Sequence, residues 1–506
     1  MFKAKLDLES LKRHNKPRSE TYQEAPVIKA KGFNTTLSEY VPSAEMPWDR
    51  RRASHLMRRI GFGVHHSKLD QFIAGTPSEK IGVELWLAQN GDLPTPPDWI
   101  NKVPPPQGSP QSDFDAYFEE NRQLYLGYID DWMALMQQHP LREKMTLFWH
   151  NHFVTQITTY QLAPFSYRYI TALRKHAVGN FKDFVREIGL DHAMLIYLDG
   201  ILNRAGSPNE NYARELLELF TMGIGNYTQN DIEEIARALT GHFVNYFTFE
   251  KGFNPQWHDS GEKTFFGRTG NFDYDDVIDI IFEERADEIA DHICRKLYQF
   301  FVYEGVNENI ITSLKQVFLD NDFEIMPVIE TLIRSEHFFD DEFIGAKIKG
   351  PVDFLTGMYN EANLYPAANA LGLQTIFLSL LDQFLLNPPN VAGWPEYHSW
   401  LSTTTMTYRW LISDYLVDYN VPNVYEIDAF EIANAMSNPE DAVQLSRDLA
   451  EYMLAVPLPD DELNELPNVL LDGLPEFEWS LSFDGAETRI KELIKHIRRL
   501  PEYNLM

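Results

Sequence analysis

Residues 146–155 read Thr146-Leu147-Phe148-Trp149-His150-Asn151-His152-Phe153-Val154-Thr155. Two imidazoles flank an amide inside an aromatic and aliphatic run, where a polar group left unpaired costs about 1–3 kcal/mol. Two uses fit these residue types. Imidazoles bind zinc, iron or manganese and exchange protons as acid or base. Alternatively, each ring hydrogen-bonds a backbone or carboxylate partner and holds the core together. Pro140 with Arg142-Glu143 has the form of a first helical turn. On a helix, residues i and i+2 project about 200° apart, so His150 and His152 can share an ion only if the helix ends near His150.

Three further clusters carry polar groups. Asn211, Arg214, Glu215 and Glu218 recur at helical spacing and make one polar stripe, with Tyr212, Leu216, Leu219 and Phe220 on the apolar face. Turned toward a pocket, Glu215 would serve as base or ligand and Arg214 as an anion clamp. Turned toward water, Arg214 would simply pair with Glu218. Asp199, just before Gly200, either orients a histidine from behind or turns the chain. His258-Asp259 is an imidazole–carboxylate pair in a loop, and loops on a rigid scaffold carry function disproportionately. One expectation follows from convergence of these clusters: a metal-dependent hydrolase. Glu215, Arg214 and Asp199 would be its catalytic groups, and His150, His152, His258 and Asp259 would surround a divalent zinc, iron or manganese ion that activates water. The competing expectation is a non-catalytic binding or assembly protein whose polar motifs are structural networks.

Composition narrows the classes. The 506 residues are 44% hydrophobic and 13% aromatic, enough for a large core, and the formal net charge is −31. Such a field repels a phosphate backbone, so nucleic acid is not an expected partner. The single cysteine, Cys294, excludes an intrachain disulfide and thiolate-rich zinc or iron–sulfur sites. Its neighbours in HICRKLYQFFV are core-like, which predicts a buried, inert thiol. The sequence has no nucleophile elbow, P-loop, dinucleotide fingerprint or H-E-x-x-H. The start of the chain lacks the apolar stretch of a secretory signal, and no segment approaches the roughly 20 apolar residues of a membrane span. These features predict a soluble, cytoplasmic protein.

The elements that must position the clusters are helices. RRASHLMRRIGFG has helical spacing and ends in glycines. Thr76 with Pro77 opens another helix, Ser207-Pro208-Asn209-Glu210 reads as a capping box, and Thr228 to Asp231 repeats that pattern before Gly241 closes the helix. Asp273, with Asp275 and Asp276 behind it, caps a helix better than it begins a calcium loop. Residues 91–112 carry seven prolines and read as a surface loop or strap. Residues 242–270 read as loop with room for a short hairpin. The prediction is an all-α protein with a polar arm over residues 1–47, a principal helical domain over 48–455, and an appended segment over 456–506 that ends in a helix from about Ala486 to Arg499.

Several phrases are similar to a known family. RRASHLMRRIGFG, LREKMTLFWHNHFVT, VGNFKDFVREIGLDHAMLIYLDG, NENYARELLELFTMGIGNYT, DIEEIARALTG, FGRTGNFDYDDVIDII and NPPNVAGWP together resemble the large bacterial family catalogued as domain of unknown function family 1800, over about residues 50–410. The closing Pro501-Glu502-Tyr503-Asn504-Leu505-Met506 resembles the branch with a PEY-x-LM tail. The resemblance implies no established activity. It implies a sulfatase-like protein as a possible partner, because such genes often neighbour the family's, and an exported location, because many members carry export signals. Where the family usually has ALTGW, this chain has Ala238-Leu239-Thr240-Gly241-His242, so the resemblance gives His242 no role.

Overall fold

Helix starts are set by single side chains. Thr76 accepts from the Glu79 amide while Glu79 returns a bond to the Thr76 amide, and this capping box opens Pro77–Asn90. Thr228 and Asp231 do the same for Gln229–Ala238, and Asp273 accepts from the amides of Asp275 and Asp276 to open Tyr274–Glu284. One predicted start moves. The helix after Gly206 begins at Glu210, capped by Asn209 rather than by Ser207. Asn203 takes the Asn209 amide at 2.9 Å, and Ser207 is tied back to Arg204, so the asparagine is the first side chain placed to cap. The helix then widens into a π-helical turn over Leu216–Thr221, and Gly223, with φ +79°, ends it.

The structure, a computed structural model, describes residues 36–364, 372–419 and 427–506. Among them helices dominate, as the all-α prediction requires. The β-structure consists of two antiparallel pairs in the predicted loop region. β1 (His242–Val244) pairs with β2 (Lys251–Phe253), and β3 (Lys263–Phe265) pairs with β4 (Arg268–Gly270). No helix among the described residues is long and apolar enough to cross a membrane. Most of the arm predicted over residues 1–47 lies outside the described residues. Its described end is fastened by the Tyr40 amide, which donates to Arg334 O at 2.8 Å.

The helix Pro140–His152 runs through the centre, with almost every side chain buried. One side meets Gln111–Gln138 and Ala163–Lys175 through a buried ion pair. Glu143 accepts from Arg174 Nε at 2.6 Å, from Arg174 Nη2 at 2.9 Å and from Trp132 Nε1 at 2.8 Å. The proline-rich segment straps the outside, held where Arg142 donates to the carbonyls of Gly91 and Asp92 and Tyr167 donates to that of Pro94. The closing helix, Ala486–Arg499, packs on Thr403–Asp418 and Asp460–Leu471. Beyond it the chain turns inward. Residues 504–506 run antiparallel to 347–349, with the Lys349 amide on Asn504 O and the Met506 amide on Lys347 O, both at 2.8 Å.

Candidate functional site

The central helix continues to His152, so the two histidines of the opening motif leave it in different directions. His150 is fully buried. The Leu386 amide donates to its Nε2 at 3.0 Å, which leaves Nδ1–H to donate to the Tyr169 hydroxyl at 3.1 Å. Burial pushes its pKa down to about 3. His152 accepts at Nδ1 from the Lys296 ammonium at 2.9 Å and donates from Nε2 to Phe220 O at 3.0 Å. Burial, then Lys296, hold it well below the usual imidazole range. Phe220 O and Leu219 O belong to the last carbonyls of the π-helical turn, which lack intrahelical partners; His292 Nε2 stands 3.1 Å from the second.

Of the other expected residues, Asp199 is exposed and Arg214, Glu215, His258 and Asp259 are half-buried. Asp199 sits in a left-handed turn, φ +58°, and its carbonyl accepts from Leu202 N. Arg214 donates to Glu210 at 3.0 Å and Gln229 at 3.2 Å rather than to Glu218, which accepts from the Tyr227 hydroxyl. Glu215 is half-buried, and its charge is felt by Tyr197 and Tyr227. His258 Nδ1 donates to Thr240 O at 3.0 Å. Asp259 accepts from Arg237 Nε at 2.8 Å, and that guanidinium holds its carboxyl below the usual range.

The middle residue of the motif reaches a cavity. Asn151 and Lys144, both on the central helix, line a space of about 30 Å³ together with Lys347, Asp353, Gln383, Glu396, Tyr397 and the Met506 side chain. A second space of about 10 Å³ adjoins it, lined by Arg58, Lys349, Glu361 and again Asp353 and Met506. Local sequence explains the walls. Gly350-Pro351 starts the helix Pro351–Glu361, with Asp353 as its third residue accepting from the Gly350 amide at 3.2 Å. The loop 387–396 is carried in by Asn151, whose amide bonds the Trp394 main chain and Glu396.

The charge around these two spaces is the unusual feature. Lys144 and Lys347 line the first space and Arg58 and Lys349 the second, Arg59 lies near Lys347, Arg409 and Arg498 lie near Lys349, and all seven are buried. Three carboxylates, Asp353, Glu361 and Glu396, stand among them. Most of the cations have structural tasks. Arg59 donates to Val302 O and Lys347 to Phe300 O, closing the C-terminus of Ala286–Phe301, and Arg58 donates to Tyr452 O and Met453 O at the end of Ala442–Met453. Positive charge belongs at such helix ends. Lys144 pairs with Asp353. Lys349 differs. Its ammonium lies 3.9 Å from the Tyr503 ring centre and has no hydrogen-bonded acceptor among the described residues. Burial pushes both Lys347 and Lys349 down to about 7, with Glu396 and Glu361 respectively opposing the shift and nearby arginines adding to it.

Sequence reasoning missed these cations because lysine and arginine ordinarily read as surface. The alternation Lys347-Ile348-Lys349 before Gly350-Pro351 was the available signal, an extended segment delivered to a helix start.

A predominantly helical architecture with a buried cationic cleft defines the class. A model of the family described as "Protein of unknown function (DUF1800)" matches residues 55–505, and the chain belongs to that family. No curated protein and no solved structure matches it.

Proposed function

We propose that this protein is a binding protein whose cleft takes a small anion or the anionic end of a larger ligand, a carboxylate, sulfate or phosphate group. The observation that carries this reading is the excess of buried cations over carboxylates around the two adjoining spaces, in a chain whose net charge is −31. Uncompensated buried charge is costly, and an anion beside Lys349 and Lys347 would supply the missing counter-charge. About 10–15 Å³ holds one water, so the space of about 30 Å³ beside Lys347 suits a small group and the one of about 10 Å³ beside Lys349 no more than a single atom or water. In this reading, the sulfatase-like neighbour suggested by the family resemblance would be a partner that shares or receives the ligand.

The metal-dependent hydrolase expected from His150, His152, His258 and Asp259 draws less support. Both nitrogens of His150 and His152 already have protein partners. Calorimetric titration with sulfate, phosphate and acetate tests the binding reading. Binding by the wild type that weakens at least tenfold in Lys349→Met supports it. Absence of binding for all three at 10 mM, on the order of the weakest specific affinities, would retire it.

A further inference from the structure

A second cluster lies well away in sequence from the motifs that first suggested a metal. His65 and His66 begin the helix His66–Ile73, and Glu431 sits in Ala429–Asn434. One ligand atom from each lies within 4.8 Å of the others. His65 Nε2 is 3.3 Å and His66 Nε2 is 3.7 Å from Glu431 Oε1. The two residues are 5% and 7% exposed, so both rings are more than nine-tenths buried, yet neither Nε2 has a hydrogen-bond partner.

Both contacts are longer than a good hydrogen bond and near the spacing of two ligands on one ion. An N–H···O bond spans about 2.7–3.2 Å, and both contacts exceed that. Two ligands held about 2.0–2.2 Å from one tetrahedral zinc stand roughly 3.3–3.5 Å apart. The ring of His65 is already oriented for ligation, because Ser67 Oγ lies 2.9 Å from Nδ1. With Nδ1–H donating to Ser67, the tautomer a metal ligand needs, the Nε2 lone pair faces the carboxylate and a cation between them is bound by both. The rings lie with centroids 3.8 Å apart, an arrangement that two imidazolium ions would oppose. Of the cations nearby, Arg50 is paired with Asp70 at 2.6 Å, and Lys68 is exposed and makes no ion pair with Glu431 among the described residues.

We propose that His65, His66 and Glu431 form a divalent transition-metal site of the zinc class, with two imidazoles and one carboxylate as protein ligands and the remaining position open to solvent. The Glu431 side chain is 40% exposed, which places the outer side of the site at the surface. The ion would join the first helices of the chain to its last third. Three protein ligands with a vacant fourth position is the arrangement of zinc sites that keep a water.

Tag-free protein, stripped with chelator and dialysed against 10 µM Zn²⁺, tests this, 10 µM being an excess on the order of what a specific site needs. The expected result is one equivalent bound per chain with a raised melting temperature, and binding at least tenfold weaker in both His66→Ala and Glu431→Gln. Because His66 packs near Tyr452 and its loss can disturb the fold, Glu431→Gln, at a partly exposed carboxylate, is the deciding variant. Co²⁺ should add the visible absorption of a tetrahedral nitrogen–oxygen site that Glu431→Gln lacks. No zinc on the wild type, or a full equivalent retained in Glu431→Gln, overturns the proposal.

Discussion

Asn151 grips the main chain of Trp394 from both sides: Trp394 N–H donates to Asn151 Oδ1 at 2.7 Å, and Asn151 Nδ2 donates to Trp394 O at 3.3 Å. The same Nδ2 lies 3.2 Å from Glu396 Oε1. A side-chain amide is the group for this task because it offers a donor and an acceptor at once. The amide between two histidines thus docks the loop that brings Glu396 and Tyr397 to the cleft. Gly393 allows the approach, since a Cβ added there would stand 2.6 Å from Asn151 O.

Asn151→Ala should therefore destabilise the protein by about 1–3 kcal/mol, the range for leaving buried partners unsatisfied, and weaken anion binding with it. Gly393→Ala should cost at least about 2 kcal/mol, because it adds a clash to a side chain at φ +86°. Denaturant melts of the two variants check both. A Gly393→Ala protein as stable as wild type would show that the loop seats differently.

The ion pair inside the helical core makes a sharper test. Glu143 and Arg174 are almost wholly buried and doubly bonded. Arg174→Met leaves the carboxylate with only the more distant Arg142 guanidinium, 3.8 Å away, and should cost about 3–5 kcal/mol, whereas a matched apolar replacement of both partners is often nearly neutral. A double-mutant cycle with Glu143→Leu should show strong coupling, with the double variant recovering much of the loss. Additive effects would mean that Trp132, which also donates to Glu143 at 2.8 Å, carries most of the burden.

The parts legible in the sequence are those made by near neighbours. Thr76, Thr228 and Asp273 cap their helices as predicted because a cap is a bond to an amide two or three residues on. The closing helix spans Ala486–Arg499 for similar reasons of period. The cleft was not legible. Lys349 is buried only because Arg409, Tyr503 and Asn504 arrive from remote parts of the chain. His65-His66 gave no signal of their own, since Glu431 comes from far along the sequence. His150, Asn151 and His152 were singled out for the right property, polarity in a core run, but that property cannot distinguish a ring bonding a carbonyl from an amide docking a loop.

Lys349 ties stability to binding, and pH separates them. Its folded pKa is about 7, against about 10.4 in an unfolded chain. Burial is the main cause. Arg58, Arg409 and Arg498 around it add to the depression, and Glu361 opposes it. Between pH 7 and about 10.4 the unfolded chain holds a proton that the folded one releases, so this group makes stability rise with pH across that window. Below pH 7 the penalty is fully present, because the charge must be kept inside. Lys349→Met removes it and should stabilise the ligand-free protein by about 1–4 kcal/mol at pH 6–7, the range for replacing buried charge by apolar groups. The difference from wild type should shrink toward zero near pH 10. Lys347, displaced to about 7 for the same reason, remains in the variant, so some rise with pH persists. Phosphate at pH 7 should raise the melting temperature of the wild type and leave that of Lys349→Met unmoved, the trade expected where a destabilising group is kept for binding. Urea melts from pH 6 to 10 decide it: a variant less stable than wild type at pH 6, or a stability difference that does not change with pH, would mean that the Lys349 ammonium is satisfied within the fold and does not await an anion.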